Sequence, residues 1–124
     1  MTGYSVCFDF DGTLIDSRQD IATAANRLRR RHDLEPLSVD RVAEEIGSGT
    51  REFIEGVFPP ELLNGNVQDL IDDFREAYLE ICTERVEPYP EITPLVKDLS
   101  DENLSIVTNK PLSMTEKILN TLQW

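Results

Sequence analysis

The feature that most constrains this chain is an acidic pair placed directly after its first apolar run. Tyr4 to Phe8 is predicted to form a short strand buried on both faces, with Cys7 as a buried, inert thiol. The run Asp9-Phe10-Asp11-Gly12-Thr13 follows at once. Carboxylates at the end of a buried strand destabilise the fold unless they have partners. This junction is therefore the first candidate for a functional site.

Residues 16–87 are predicted to be largely helical. Ser17 and Asp20 form a start typical of a capping box. Further helix starts are predicted at Ser38, Thr50 and Asn66, with the Ser38 helix ending at Ile46. Apolar residues repeat with the helical period in two of the predicted helices. The helix that starts at Ser17 carries Ile21, Ala24, Ala25 and Leu28, and the helix that starts at Asn66 carries Val67, Leu70, Ile71, Phe74, Tyr78 and Ile81.

The last third of the chain alternates between helix and strand. Thr93-Pro94 predicts a helix start, followed by a buried stripe of Leu95, Val96 and Leu99. Leu104 to Val107 is predicted to be a second strand, which ends in Thr108-Asn109-Lys110-Pro111. A final helix starts near Ser113, with an inward face of Met114, Ile118 and Leu122.

Strands separated by helices predict an α/β fold with a parallel sheet. The polar runs 9–13 and 108–110 both follow a strand, and ligands of open α/β sheets bind at the carboxyl ends of the strands. The long helical block begins just after the first run. It can therefore lie over this edge of the sheet as a lid.

Asp9 and Asp11 suggest metal-assisted chemistry, although turn or capping acids explain a D-x-D spacing equally well. Residues i and i+2 of a strand point to the same side, so the two carboxylates repel unless a cation lies between them. Mg²⁺ suits such oxygen ligands. A carboxylate beside a metal can attack phosphorus, and its neighbour can act as general acid and base. Backbone amides around Phe10 and Asp11 can form an anion-binding nest.

The longer string Asp9-Phe10-Asp11-Gly12-Thr13-Leu14-Ile15-Asp16-Ser17 resembles the first motif of haloacid dehalogenase-like phosphatases. Thr108-Asn109 is similar to the second motif of that superfamily. The continuation through Lys110-Pro111, and Tyr89-Pro90 earlier, resemble phosphoglycolate phosphatase-like members, although Glu91 stands where these usually carry glycine. The loop Ile46 to Gly49 is similar to their substrate-facing cap loop.

The resemblance implies a Rossmann-like core with an inserted helical cap. Residues 1–15 and 88–124 would form a partial core, and residues 16–87 are called the cap below. Asp9 would be the nucleophile and a ligand of Mg²⁺, and Asp11 the general acid and base, with its backbone carbonyl on the metal. The phosphate-binding groups would be Phe10, Asp11, Thr108 and Asn109.

Five further residues are candidates for contacts with the substrate or the cap: Thr13, Gly47, Gly49, Arg51 and Lys110. Lys110 can approach the phosphate, line the interface with the cap, or end the strand in solvent. Arg51 can meet a substrate carboxylate from above or lie on a helix surface. The sequence leaves these alternatives open.

The third and fourth motifs of the superfamily, a cation and an acidic pair, do not follow Thr108 in this sequence. We therefore expect an N-terminal portion, cap plus incomplete core, of a Mg²⁺-dependent hydrolase of small phosphomonoesters, with little or no activity alone. The alternatives are a non-catalytic, oligomerising remnant of the fold and a sugar-phosphate mutase. An incomplete sheet also favours a homo-oligomer or strand exchange.

The charge balance limits the partners. With 24 acidic and 12 basic residues and a net charge of −12, the chain is not expected to bind nucleic acid. The basic cluster Arg27, Arg29, Arg30 and Arg31 is predicted to be a solvated helix end. No apolar run reaches the roughly 20 residues of a membrane span. Two distant cysteines and the lack of a signal sequence predict a cytoplasmic protein without a membrane partner.

Overall fold

The computed structural model describes residues 5–99 and 103–124. Within them, short strands and helices alternate around a long helical block. The elements in chain order are β1 (Ser5–Phe8), β2 (Ile15–Asp16), α1 (Arg18–Arg31), α2 (Val39–Ala43), α3 (Thr50–Val57), α4 (Pro60–Leu63), α5 (Val67–Ile81), β3 (Glu87–Pro88), α6 (Ile92–Asp98), β4 (Asn103–Ile106) and α7 (Leu112–Leu122).

The core sheet consists of β1 and β4 in parallel, with Phe8 opposite Ile106 at its carboxyl end. The predicted parallel pairing is confirmed. The expected burial of β1 on both faces is wrong, because Ser5 and Cys7 are exposed and Val6 and Phe8 are only half-buried. Among the described residues, β4 is the one strand that pairs with β1. Tyr4, predicted as part of this strand, lies outside the described residues.

In the cap, α5 packs against α1 and α3, and α1 also packs against α2, which buries a hydrophobic cluster. The apolar faces predicted for α1 and α5 are confirmed, since their side chains are buried apart from the half-buried Val67: Ile21, Ala24, Ala25, Leu28, Leu70, Ile71, Phe74, Tyr78 and Ile81. Met114 and Ile118 of α7 join the same buried cluster from the core side.

A two-residue antiparallel ribbon joins the core to the cap. Ile15 pairs with Pro88 and Asp16 with Glu87. The segment that leads into the cap and the segment that leads out of it therefore run side by side. Such short strands carry no periodic pattern, and the sequence did not predict them. The predicted division between core and cap, at residues 15/16 and 87/88, falls within this ribbon and stays a prediction.

Three local predictions at the starts of α1 and α6 are wrong. Ser17 makes no capping bond to α1, because its hydroxyl donates to Asp11 Oδ1 at 2.5 Å instead. Asp20 is buried and accepts the Arg85 backbone N–H at 3.1 and 2.9 Å. The third, α6, starts one residue before the predicted Thr93-Pro94, and none of its residues is fully buried; Leu95 is 39% exposed. Its N-cap residue, Glu91, has the left-handed φ of 74°.

Ser38 does cap α2, accepting the Arg41 backbone N–H at 3.1 Å, although that helix ends at Ala43 and not at Ile46. The basic helix end is not wholly solvated, since the Arg29 guanidinium donates to the Val57 carbonyl at 2.5 Å and to the Glu35 carbonyl at 2.8 Å. No helix in the described part of the chain is long and apolar enough to cross a bilayer.

Candidate functional site

A cleft of about 590 Å³, counted with its opening to solvent, lies between the carboxyl end of the core sheet and the cap. Both predicted polar runs reach it. From the core it is lined by Asp9, Asp11, Thr108, Asn109 and Lys110, and from the cap by Gly47, Gly49, Thr50, Phe74, Arg75 and Tyr78, among others.

The loop after β1 is shaped by backbone hydrogen bonds to Phe10. The Phe10 carbonyl accepts from the amides of Thr13, Leu14 and Ile15 at 3.2, 2.9 and 3.2 Å, and its side chain is fully buried. Gly12 has a φ of 80°, which only glycine adopts without strain. The tight turn holds Asp9 and Asp11 on the cleft while the residue between them points into the core.

Asp9 is exposed at the cleft. Its Oδ1 accepts the Phe10 backbone N–H at 2.8 Å. That amide, predicted to face a phosphate, is therefore bonded to the Asp9 carboxylate itself. The bond fixes one oxygen of the side chain and leaves the carboxylate open to a ligand in the cleft.

Asp11 is held from two sides through one oxygen. Oδ1 accepts the Ser17 hydroxyl at 2.5 Å and lies 3.2 Å from Lys110 Nζ. The Lys110 side chain is only 4% exposed, and its ammonium also donates to the Tyr78 hydroxyl of α5 at 2.6 Å. Burial lowers the pKa of Lys110, while the Asp11 carboxylate opposes that shift. Of the three alternatives for Lys110, the structure excludes a solvent-exposed strand end and supports a position between core and cap.

The loop after β4 also meets the cap. The Thr108 hydroxyl accepts the Lys110 backbone N–H at 3.1 Å, which closes the loop on itself. Asn109 donates from Nδ2 to the Gly47 carbonyl at 2.9 Å. Gly47 and Gly49 line the cleft as expected, with positive φ values of 124° and 109°.

Not every predicted residue reaches the cleft. Thr13 and Arg51 are exposed and lie outside its lining, because the turn after Gly12 and the outer face of α3 carry them away. Tyr78 and Arg75 are among the lining residues that had no predicted site role. Tyr78 was assigned only to an apolar helix face, although a buried tyrosine hydroxyl generally needs a partner. Arg75 lines the cleft one position after Phe74, and no sequence signal distinguishes it from a surface arginine.

The cleft offers hard oxygen donors of the kind that Mg²⁺ prefers, namely the Asp9 carboxylate and the Asp11 backbone carbonyl. No hydrogen bond within the described residues occupies that carbonyl. The same part of the chain contains no group of three or more His, Cys, Asp or Glu side chains able to enclose a metal. The donor set fits an open site completed by water or substrate oxygens.

Fold and cleft together define a Rossmann-like α/β core that carries a helical cap over the carboxyl edge of its sheet. The family model for haloacid dehalogenase-like hydrolases matches residues 6–124. The chain therefore belongs to the haloacid dehalogenase-like hydrolase family. The predicted family and fold class are confirmed.

Named relatives resemble this chain over most of its length. Phosphoglycolate phosphatase of Aquifex aeolicus is 35% identical over 119 residues, which cover 94% of this chain and 54% of the relative. N-acetylmuramic acid 6-phosphate phosphatase of Pseudomonas aeruginosa is 32% identical over 120 residues, covering 95% and 53%. The crystal structure of a predicted phosphoglycolate phosphatase from Haemophilus somnus superimposes with a TM-score of 0.83 at 25% identity, covering 97% of this chain and 58% of that one. The chain thus spans about half the length of the curated relatives it matches.

Proposed function

We propose that this chain is the cap-bearing portion of a hydrolase that cleaves small phosphomonoesters through an aspartyl-phosphate on Asp9. The observation that carries the proposal is the exposed Asp9 carboxylate beside Asp11, at the joint carboxyl end of β1 and β4 and under the cap. Related proteins named as phosphatases of phosphoglycolate and of N-acetylmuramic acid 6-phosphate support the reaction class.

The residues account for both halves of the reaction. An Asp9 carboxylate oxygen forms a bond to phosphorus while the bond from phosphorus to the ester oxygen breaks. Asp11 gives its proton to that leaving oxygen, and the alcohol departs. Asp11, now a carboxylate, takes a proton from a water molecule as the water oxygen attacks phosphorus, which releases phosphate and frees Asp9.

Thr108 and Asn109 are proposed to hold the phosphoryl oxygens, since both line the cleft next to Asp9 and Asp11. We further propose that Mg²⁺ binds to the Asp9 carboxylate and the Asp11 carbonyl, where it would neutralise charge on the phosphoryl group. With no third metal-binding side chain among the described residues, the affinity for the ion and the turnover are expected to be low.

The test is phosphate release from phosphoglycolate and from 4-nitrophenyl phosphate with and without Mg²⁺. The wild-type chain should release phosphate slowly and only with the metal. Asp9→Asn should reduce the rate to that of buffer, whereas Asp40→Asn, an exposed carboxylate on α2, should leave it unchanged. Equal rates for wild type and Asp9→Asn would overturn the proposal.

A second candidate is a non-catalytic module that self-associates through its sheet. It is favoured by the exposed residues of β1 and by Val107, which is 67% exposed next to β4. This role predicts a concentration-dependent dimer without phosphate release. A sedimentation series that shows a monomer throughout would exclude it.

A further inference from the structure

We infer that Lys110 and Tyr78 are positioning residues for Asp11: the cap, through the Tyr78 hydroxyl, holds the Lys110 ammonium against one oxygen of the general acid. The inference rests on the proposed function and adds a cap-dependent support to the acid. Asp11 lies in the core loop and Tyr78 on cap helix α5, so Lys110 is the link between them.

Within residues 5–99 and 103–124, both polar contacts to the Asp11 carboxyl group fall on the same atom. Ser17 donates to Oδ1 at 2.5 Å, and Lys110 Nζ lies 3.2 Å from Oδ1. No donor among the described residues bonds Oδ2. The side chain therefore has one anchored oxygen, while the other is available to carry the transferred proton. The Asp11 side chain is 12% exposed, enough to meet a substrate in the cleft.

The placement of Lys110 depends on Tyr78. A lysine has a long and flexible side chain, and a buried ammonium is unfavourable unless its N–H groups are bonded. The Tyr78 ring stacks on Phe74, with a centroid distance of 5.7 Å and an interplanar angle of 16°. Burial raises the pKa of the Tyr78 phenol, so its oxygen stays neutral and accepts from Lys110. The Tyr78 ring, held by its packing in the cap, therefore holds the Lys110 ammonium in place.

The ammonium would act at one step. When the bond between phosphorus and the ester oxygen breaks and Asp9 takes the phosphoryl group, the proton moves from Asp11 Oδ2 to the leaving oxygen. A negative charge then develops on Asp11, and the positive charge of Lys110 at Oδ1 stabilises it. An alkyl alcohol is a poor leaving group and needs this proton, whereas 4-nitrophenolate departs without it.

The experiment compares kcat and KM of Lys110→Met and Tyr78→Phe on phosphoglycolate and on 4-nitrophenyl phosphate with Mg²⁺. We expect kcat on phosphoglycolate to fall by about 10- to 100-fold, a part of the usual contribution of a general acid. On 4-nitrophenyl phosphate it should fall less than about threefold. Lys117→Met is the matched control, since Lys117 Nζ also donates to α5, at the Leu79 carbonyl (2.6 Å), but does not contact Asp11.

A second measurement needs no metal. The free energy of unfolding in the presence of a chelator is compared for Asp11→Asn, Lys110→Met and the double variant, and we expect the two effects to be non-additive. Additive effects on the free energy of unfolding, or equal losses of kcat on both esters, would overturn this inference and leave the proposed function standing. A wild-type chain that hydrolyses neither ester would overturn the proposed function, and the catalytic role of Lys110 with it.

Discussion

Asn109 donates a hydrogen bond from Nδ2 to the Gly47 carbonyl at 2.9 Å, although the two residues lie 62 positions apart in the chain. The loop after β4 is therefore hydrogen-bonded to the glycine-containing loop of the cap. Lys110 of the same loop also bonds Tyr78, so the loop contacts the cap at two separate points. Two consecutive residues, Asn109 and Lys110, thus connect the core loop to the cap.

Asn109→Ala should loosen the cap loop without unfolding the protein. The bond is exposed, so its loss should cost less than about 1 kcal/mol of unfolding free energy. The local effect should be larger: backbone amides of residues 47–49 should exchange with deuterium faster, as measured by mass spectrometry. Asn120→Ala, an exposed position on α7, is the control. Unchanged exchange at residues 47–49 would contradict the role of Asn109.

Glu91 offers a test of backbone strain. Its φ of 74° is unfavourable for a side chain with a Cβ atom. Glu91→Gly should therefore raise the free energy of unfolding by about 1 kcal/mol. Glu91→Ala keeps the Cβ atom and should give no such gain. Denaturant titrations of the three proteins decide it, and equal stabilities of the Gly and Ala variants would refute the explanation.

The sequence predicted most of the framework, because the longer helices and the two core strands follow recognisable patterns. The helical period placed the buried faces of α1 and α5 correctly, and the order of strands and helices predicted the parallel pairing of β1 with β4. The string from Asp9 to Ser17 predicted the family, and two of its residues, Asp9 and Asp11, line the cleft.

The errors involve interactions between distant segments. Asp20 was assigned to a local cap, but its partner is the Arg85 amide 65 residues later. Lys110 had three alternatives because its surroundings depend on where α5 brings Tyr78. The burial of Cys7 was wrong because an apolar pattern shows what a strand tolerates and not which neighbours cover it.

Asp16 and Asp20 should affect stability with opposite pH dependence. Burial raises the pKa of Asp20 above its usual 3.8, with bonds from the Arg85 and Val86 amides as the opposing effect. The folded state then binds the proton more tightly than the unfolded state, so Asp20 lowers stability as the pH rises from about 3.8 through the folded pKa. Relative to Asp20→Asn, wild type should lose stability across that window.

For Asp16 the sign reverses. The hydrogen bond from Arg18 holds the pKa of Asp16 below 3.8. Its contribution to stability is present above pH 3.8 and is lost as the pH falls through the folded pKa. The free energy of unfolding of the wild type should therefore rise relative to that of Asp16→Asn as the pH increases. Because the pair is partly exposed, the change should be small and weakened by salt. Urea titrations over a pH series measure both differences, and parallel trends for the two variants would contradict these assignments.

Arg75, and not Arg51, should recognise a second anionic group on the substrate. Arg75 lines the cleft from the cap side, whereas Arg51 lies outside the lining. No carboxylate within the described residues lies within ion-pair distance of Arg75, so its charge is available to a ligand. Arg75→Gln should raise KM for phosphoglycolate by about 10-fold, as expected for one charge-assisted hydrogen bond.

The comparison substrate is 4-nitrophenyl phosphate, which lacks a carboxylate, and its KM should change less than about twofold. Arg51→Gln, which removes the same charge from the same cap, should alter neither KM. This pair of variants separates a specific contact from the general field of the cap, because both reduce its positive charge equally. A similar rise in KM for both substrates, or for both variants, would show that Arg75 acts only through that general field.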